Sequence, residues 1–81
     1  MIINDLKKIV NETFKINENM VETETPLFNG GLNLNSIQLL ELTVSIEDFY
    51  GNEIDPDDLT EENFATISSL IDLIKRRFNV E

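Results

Sequence analysis

The sequence predicts an all-α domain: a small four-helix bundle of three long helices and one short one, with a long loop between helices 1 and 2. Three observations predict it. Apolar residues recur at the three- and four-residue spacing of an amphipathic helix in three separate stretches. No stretch alternates apolar with polar residues as a half-buried strand does. At 81 residues the chain makes one domain, residues 1–81, whose single core every element must share.

The first stretch is Ile2, Leu6, Ile9, Val10 and Phe14, with Asn11, Glu12 and Lys15 on the other side. Asn4 and Asp5 suit a helix start, so the spacing predicts a helix over about residues 3–15 that packs one face on the core and carries no chemistry. A connection over about residues 16–35 follows, punctuated by Thr25-Pro26 and Gly30-Gly31. A connection of that length is usually functional or disordered. Leu27 and Phe28 are expected to pin it to the core and keep it ordered.

The second helix is expected from Ser36 to Tyr50, stopped by Gly51. On a helical projection Leu39, Leu42, Ile46, Phe49 and Tyr50 fall on one side. Ile37, Leu40 and Val44 fall on a second side, separated by Thr43 and Glu47. One apolar face suffices to pack a helix in a bundle. A central helix can bury both, but an apolar stripe rimmed by Glu41, Glu47 and Asp48 has the composition of a contact site. Ser36 itself reads in two ways: as the helix cap, or as an attachment point for an anionic group at the positive end of the helix dipole.

Pro56 opens the expected short helix, with Asp57 and Asp58 in its first turn and Leu59 and Phe64 facing inward. As a calcium loop the run fails: Asp55 and Asp57 have ligand spacing, but Leu59 stands at the next ligand position and Thr60 where the turn needs glycine. A solvated acidic face is the expectation, with no metal site. The last helix runs from about Thr66, its cap, to Phe78, through Ile67, Leu70, Ile71 and Ile74, with Lys75, Arg76 and Arg77 at its negative end.

Composition removes whole classes of function. The chain has no cysteine, histidine or tryptophan. Thiol catalysis, thiolate metal sites and disulfides are therefore absent, and a hydrolase built on Ser36 lacks its base. The net charge of −10 disfavours nucleic acid and anionic membrane surfaces. It favours a monomer and partners with basic patches. The charge is also segregated. Lys7, Lys8, Lys15, Lys75, Arg76 and Arg77 lie toward the ends, and no Lys or Arg occurs from Ile16 to Ile74. The N-terminus lacks the apolar run of a signal peptide, so the expected location is cytoplasmic.

Three segments together resemble the acyl carrier proteins, the phosphopantetheine-binding carrier family. They are Gly31-Leu32-Asn33-Leu34-Asn35-Ser36-Ile37, then Leu39-Leu40-Glu41-Leu42, then Ile46-Glu47-Asp48-Phe49-Tyr50-Gly51. The resemblance extends over essentially the whole chain. It implies a 4′-phosphopantetheine arm esterified to Ser36, whose thiol holds acyl groups as thioesters, and a carrier rather than an enzyme. It implies partner docking through Ile37, Leu40, Glu41, Val44, Glu47 and Asp48. The implied partners are a phosphopantetheinyl transferase and acyl-loading and acyl-processing enzymes of fatty-acid, polyketide or related biosynthesis. Aminoacyl or peptidyl cargo, D-alanyl included, is the alternative within the family. An unmodified acidic interaction module is the alternative outside it.

Physical reasoning agrees: a chain without cysteine gains a thiol only from a cofactor, and the glycines before Ser36 are expected to leave room for a transferase. Phe28, Leu42, Ile46, Ile54, Leu59 and Phe64 are expected to wall the space between the second and third helices, first as core and second as shelter for an acyl chain. Two positions depart from the family pattern. Asn35 stands where aspartate is usual, and Gln38 where many members carry an acid. Both remove charge beside the site, which implies a dedicated carrier loaded by a broad or cognate transferase.

Overall fold

In the computed structural model, which describes residues 1–80, the first helix, α1, spans Ile2–Phe14 and buries Ile2, Leu6, Ile9 and Val10. It ends at Lys15, in the left-handed region at φ 61°, whose N–H donates to the Asn11 carbonyl. The second helix, α2, spans Ser36–Tyr50 and ends on Gly51 at φ 68°, a conformation that glycine adopts without a Cβ penalty. The third, α3, spans Ile67–Phe78. Its N-cap is Thr66, whose side-chain oxygen accepts from the Ser69 N–H. These bounds follow the periodicity closely.

Among the described residues the helix count is three, not four. The expected short helix contracts to a 3-10 turn over Pro56–Asp58. Local hydrogen bonds explain why it stops there. Asp55 caps its start, accepting from the Asp57 N–H at 2.9 Å, and at its end the Asn63 amide donates to the Asp58 carbonyl at 2.9 Å. A carbonyl engaged by a side chain no longer draws the chain into another helical turn. Asp58 is also not part of a solvated face. It is buried and pairs with Arg77 at 2.8 Å (Oδ2 to Nε) and 3.0 Å (Oδ1 to Nη2), so the turn is tied to α3. The guanidinium is held above its ordinary range, first by that hydrogen bond and then by the carboxylate charge. Phe64 is buried as expected, but Leu59 lies at the surface. A second 3-10 turn, Glu18–Met20, opens on Asn17 as its cap.

The core gathers residues from every segment. Leu42 and Ile46 of α2 meet Leu6 and Val10 of α1 and Ile67, Leu70, Leu73 and Ile74 of α3. Leu73 is a core position that the single-stripe reading of α3 leaves out, and Ile71 is only half-buried. Phe49, expected on the inner side of α2, is 45% exposed. Tyr50 occupies the inner position instead. Its ring packs on Phe78, and Phe49 leans edge-on against it from outside.

The long connection is ordered. Val21, Leu27, Leu32 and Leu34 are buried, and Phe28 is half-buried. Main-chain bonds tie it down: Leu27 N–H to the Ala65 carbonyl, Leu34 N–H to the Leu27 carbonyl, and Ser68 N–H to the Thr23 carbonyl. Pro26 and Thr66 form an isolated antiparallel bridge. A loop that satisfies its backbone this way can lie against the core. No helix among the described residues is long and apolar enough to cross a membrane.

The Tyr50 hydroxyl donates to Asp5 Oδ2 at 2.8 Å, which links α2 to α1. Burial, then that bond, then the Asp5 charge push the phenol well above its ordinary range. In the unfolded chain a tyrosine ionises near pH ~10. The Tyr50 contribution to stability is thus full below that pH and is lost as pH rises from there toward the folded value. Tyr50→Phe should cost about 1 kcal/mol at neutral pH, the net worth of one hydrogen bond. It should also remove this part of the alkaline loss of stability. Urea unfolding on both sides of the transition checks it. Because the chain has one tyrosine, ultraviolet titration reads Tyr50 alone.

Candidate functional site

Ser36 is the first residue of α2, and the cap is its neighbour. Asn35 is extended (φ −91°, ψ 179°), and its side-chain oxygen accepts from the Gln38 N–H at 2.8 Å. Gln38 Oε1 in turn accepts from the Asn35 N–H at 3.0 Å, closing a reciprocal capping box. Two consequences follow. The Ser36 hydroxyl does not cap the helix, and it is exposed. The two residues that depart from the family pattern are the two that build the cap, and they do so without charge.

The first turn of α2 contains no acidic residue. Helix geometry leaves the Ser36 and Ile37 N–H groups without intrahelical acceptors, and the dipole adds positive potential there. A phosphodiester on Ser36 Oγ would meet donors and no repelling carboxylate in that turn. The site therefore fits phosphopantetheine. No titratable group of the chain stands in this turn.

The glycines before Ser36 shape the loop. Gly30 sits at φ 83°, and its N–H donates to the Asn33 side chain. Gly31 lies so close to Pro26 that a Cβ there would come 2.0 Å from the Pro26 carbonyl oxygen.

Beside Ser36 opens a groove of about 400 Å³ lined by Phe28, Ser36, Leu39, Leu40, Thr43, Leu59, Thr60, Glu61 and Phe64. Of the six expected wall residues, Phe28, Leu59 and Phe64 line it. Leu42, Ile46 and Ile54 are buried in the core instead. Thr43, Thr60 and Glu61 join the lining without any signal in the sequence, because segments far apart in the chain meet there. Thr43 donates its hydroxyl to the Leu39 carbonyl at 2.9 Å, which makes a polar threonine compatible with burial.

Ile37, Leu40 and Val44 are 71%, 60% and 54% exposed, so the second stripe of α2 is surface and not core. Glu41 and Asp48 are exposed beside it. Glu47 is placed differently. It is half-buried, and its Oε2 accepts from the Ile54 N–H at 2.7 Å, tying α2 to the segment that follows it.

Comparison with known proteins agrees with this geometry. The family model of the phosphopantetheine attachment site matches residues 4–74. An acyl carrier protein of Coprothermobacter proteolyticus is 31% identical over 74 residues, spanning 91% of this chain and 87% of that one. One of Lactobacillus johnsonii is 31% identical over 78 residues, spanning 96% and 94%. Among solved structures, the solution structure of a holo acyl carrier protein from Nitrosomonas europaea superposes with a TM-score of 0.83 at 14% identity, covering 96% of both chains. A chain from the crystal structure of an engineered Bradyrhizobium japonicum glycine:[carrier protein] ligase with a carrier protein from Agrobacterium tumefaciens superposes at 0.79 and 20% identity, covering 94% and 99%. With a free serine opening a helix and a family match over most of its length, the chain belongs to the phosphopantetheine attachment-site family, the acyl carrier proteins.

Proposed function

We propose that the chain carries acyl intermediates as thioesters on a 4′-phosphopantetheine arm joined to Ser36 Oγ, and presents them to partner enzymes as a carrier rather than a catalyst. The observation that carries this is the Asn35–Gln38 cap, which leaves the Ser36 hydroxyl exposed and uncommitted at a helix N-terminus whose first turn has no acid. When attached, the arm supplies the thiol that the chain lacks. Ser36 anchors it, and the N–H groups of the first turn hold its phosphate. The groove of Phe28, Leu39, Leu59 and Phe64 offers an apolar bed next to the anchor, which favours acyl over aminoacyl cargo. Ile37, Leu40 and Val44, with Glu41 and Asp48, form the docking stripe for enzymes with basic patches, a phosphopantetheinyl transferase among them. Glu47 joins it only at its edge, because its carboxylate already holds Ile54. A net charge of −10 supports a monomer.

Intact mass after co-expression with a broad-specificity transferase tests the reading. A single phosphopantetheine adduct is expected. A mass unchanged under every transferase would favour an unmodified interaction module.

The neutral cap carries a separate expectation. Asn35→Asp keeps a good N-cap and adds charge beside Ser36. It should leave the melting temperature nearly unchanged and speed loading by a transferase specific for carriers with aspartate before the serine. Equal loading of both proteins would refute the dedicated-carrier reading. Asn35→Ala, by contrast, should cost about 1 kcal/mol by removing the cap.

A further inference from the structure

The first turn of α2 has no acid. The nearest carboxylate along α2 is Glu41, and the next ones on its exposed side lie further down the helix. Adjoining the groove beside Ser36, with which it shares Leu40, a shallow groove of about 410 Å³ is bounded by Ile37, Leu40, Glu41 and Val44 on α2 and by Thr13 on α1. A second hollow of about 290 Å³ continues it toward the far end of α2, with Ile9 and Glu12 on α1 facing Asp48 and Phe49. Thr13 and Ser45 line both, and their hydroxyls are hydrogen-bonded at 3.0 Å, a polar saddle between the two halves.

The two halves make one furrow between α1 and α2 that starts next to Ser36. It runs to Phe49, thirteen residues or about 20 Å along the helix. Its exposed apolar residues are Ile37, Leu40, Val44 and Phe49, with acids on both banks. Among the described residues the one ion pair joins Asp58 to Arg77. Glu12, Glu41 and Asp48 thus face solvent without an intramolecular cation in contact. Lys8 and Lys15 flank Glu12 along α1 and do not pair with it.

We propose that the enzyme that loads Ser36 docks along this whole furrow, with Glu12 of α1 and Asp48 as its second acidic contact and Phe49 as its distal apolar contact, rather than on the α2 stripe alone. The inference rests on Ser36 being the loading site. An enzyme that acts on the hydroxyl itself has no arm to reach across, so its surface must lie against the residues that adjoin Ser36, and Ile37 is both the next residue and the start of the furrow. The chemistry of the matching surface follows: protruding apolar side chains flanked by Lys or Arg, spaced to meet both banks. An apolar centre with a charged rim on two helices also suits the area that a specific interface needs better than one helix stripe does.

The test uses the full apo chain, coenzyme A and a broad-specificity phosphopantetheinyl transferase, with steady-state loading followed by mass. Glu12→Lys is the deciding variant: it is exposed, and thermal unfolding confirms its fold. Asp72→Lys, an equal change of net charge on α3 outside both hollows, is the control, and Glu41→Lys reports the α2 stripe. Glu12→Lys should raise KM about five-fold or more at low salt with kcat unchanged, and the difference should shrink in high salt as screening removes it. Phe49→Ala should raise KM without that salt dependence. If Glu12→Lys loads with the KM of Asp72→Lys while Glu41→Lys is impaired, docking is confined to α2 and the proposal is overturned, although the carrier reading stands. If all three charge variants load alike, the proposal is likewise overturned. A wild-type chain that takes no adduct would remove the carrier reading, and this one with it.

Discussion

Ser36→Ala is expected to leave the fold intact and to abolish the phosphopantetheine adduct completely. The two halves of that result come from one geometric fact. Ser36 stands inside the first turn of α2, while the cap is supplied by Asn35 and Gln38. Losing the hydroxyl therefore removes no cap, and alanine is a better helix former than serine by a few tenths of a kcal/mol at about this kind of position. Had serine been the cap, the same substitution would cost about 1 kcal/mol. Thermal unfolding and intact mass on the same sample check both halves. A variant that still gained the adduct would place the arm on another hydroxyl and refute the assignment. A variant that lost both adduct and stability would show that the Asn35–Gln38 cap is not what starts the helix.

Gly31→Ala is expected to be the most destabilising single-methyl change in the loop, at about 2 to 3 kcal/mol, the range for forcing atoms into packed space. The added Cβ would lie 2.0 Å from the Pro26 carbonyl oxygen and 2.8 Å from its carbonyl carbon and ring. These are mostly backbone atoms, so no side chain can swing aside. Moving Pro26 would break the bond from the Leu32 N–H to its carbonyl and disturb the bridge to Thr66 at the start of α3. For a domain of this size each kcal/mol shifts the melting temperature by roughly 4–8 °C, so a drop of about 10 °C or more is the readout. Gly30→Ala is the comparison. There a Cβ meets open space, and only the positive φ of 83° is strained, which should cost about 1 kcal/mol. Equal losses at the two glycines would refute the steric account.

Much of this was legible in the chain itself because the relevant signals are local. Helical spacing placed α1, α2 and α3 nearly to the residue, and Gly51 and Thr66 marked ends by chemistry that acts within a turn. The second stripe of α2 was visible as a surplus, but its exposure was not, because burial depends on which neighbours arrive. The short helix expected after Pro56 contracted to a 3-10 turn. Asn63, five residues from Asp58, ends it locally, and Arg77, nineteen residues from Asp58, ties the remaining turn to α3. Phe49 and Tyr50 are adjacent, and either ring fits the last turn of α2. Asp5 and Phe78 select Tyr50, and neither is near it in the chain.

The sequence by itself determined the three long helices, the absence of any thiol or imidazole chemistry, the acidic stretch from Ile16 to Ile74 and the serine that opens α2, since composition and short-range periodicity carry all four. The tertiary structure decided that Ser36 is free of the cap, that a groove opens beside it, that Asp58 is buried against Arg77 while Glu12 and Asp48 share a furrow, and that Gly31 is held against Pro26. Each of these depends on distances between residues, or on the conformation of a turn, that no periodic pattern encodes.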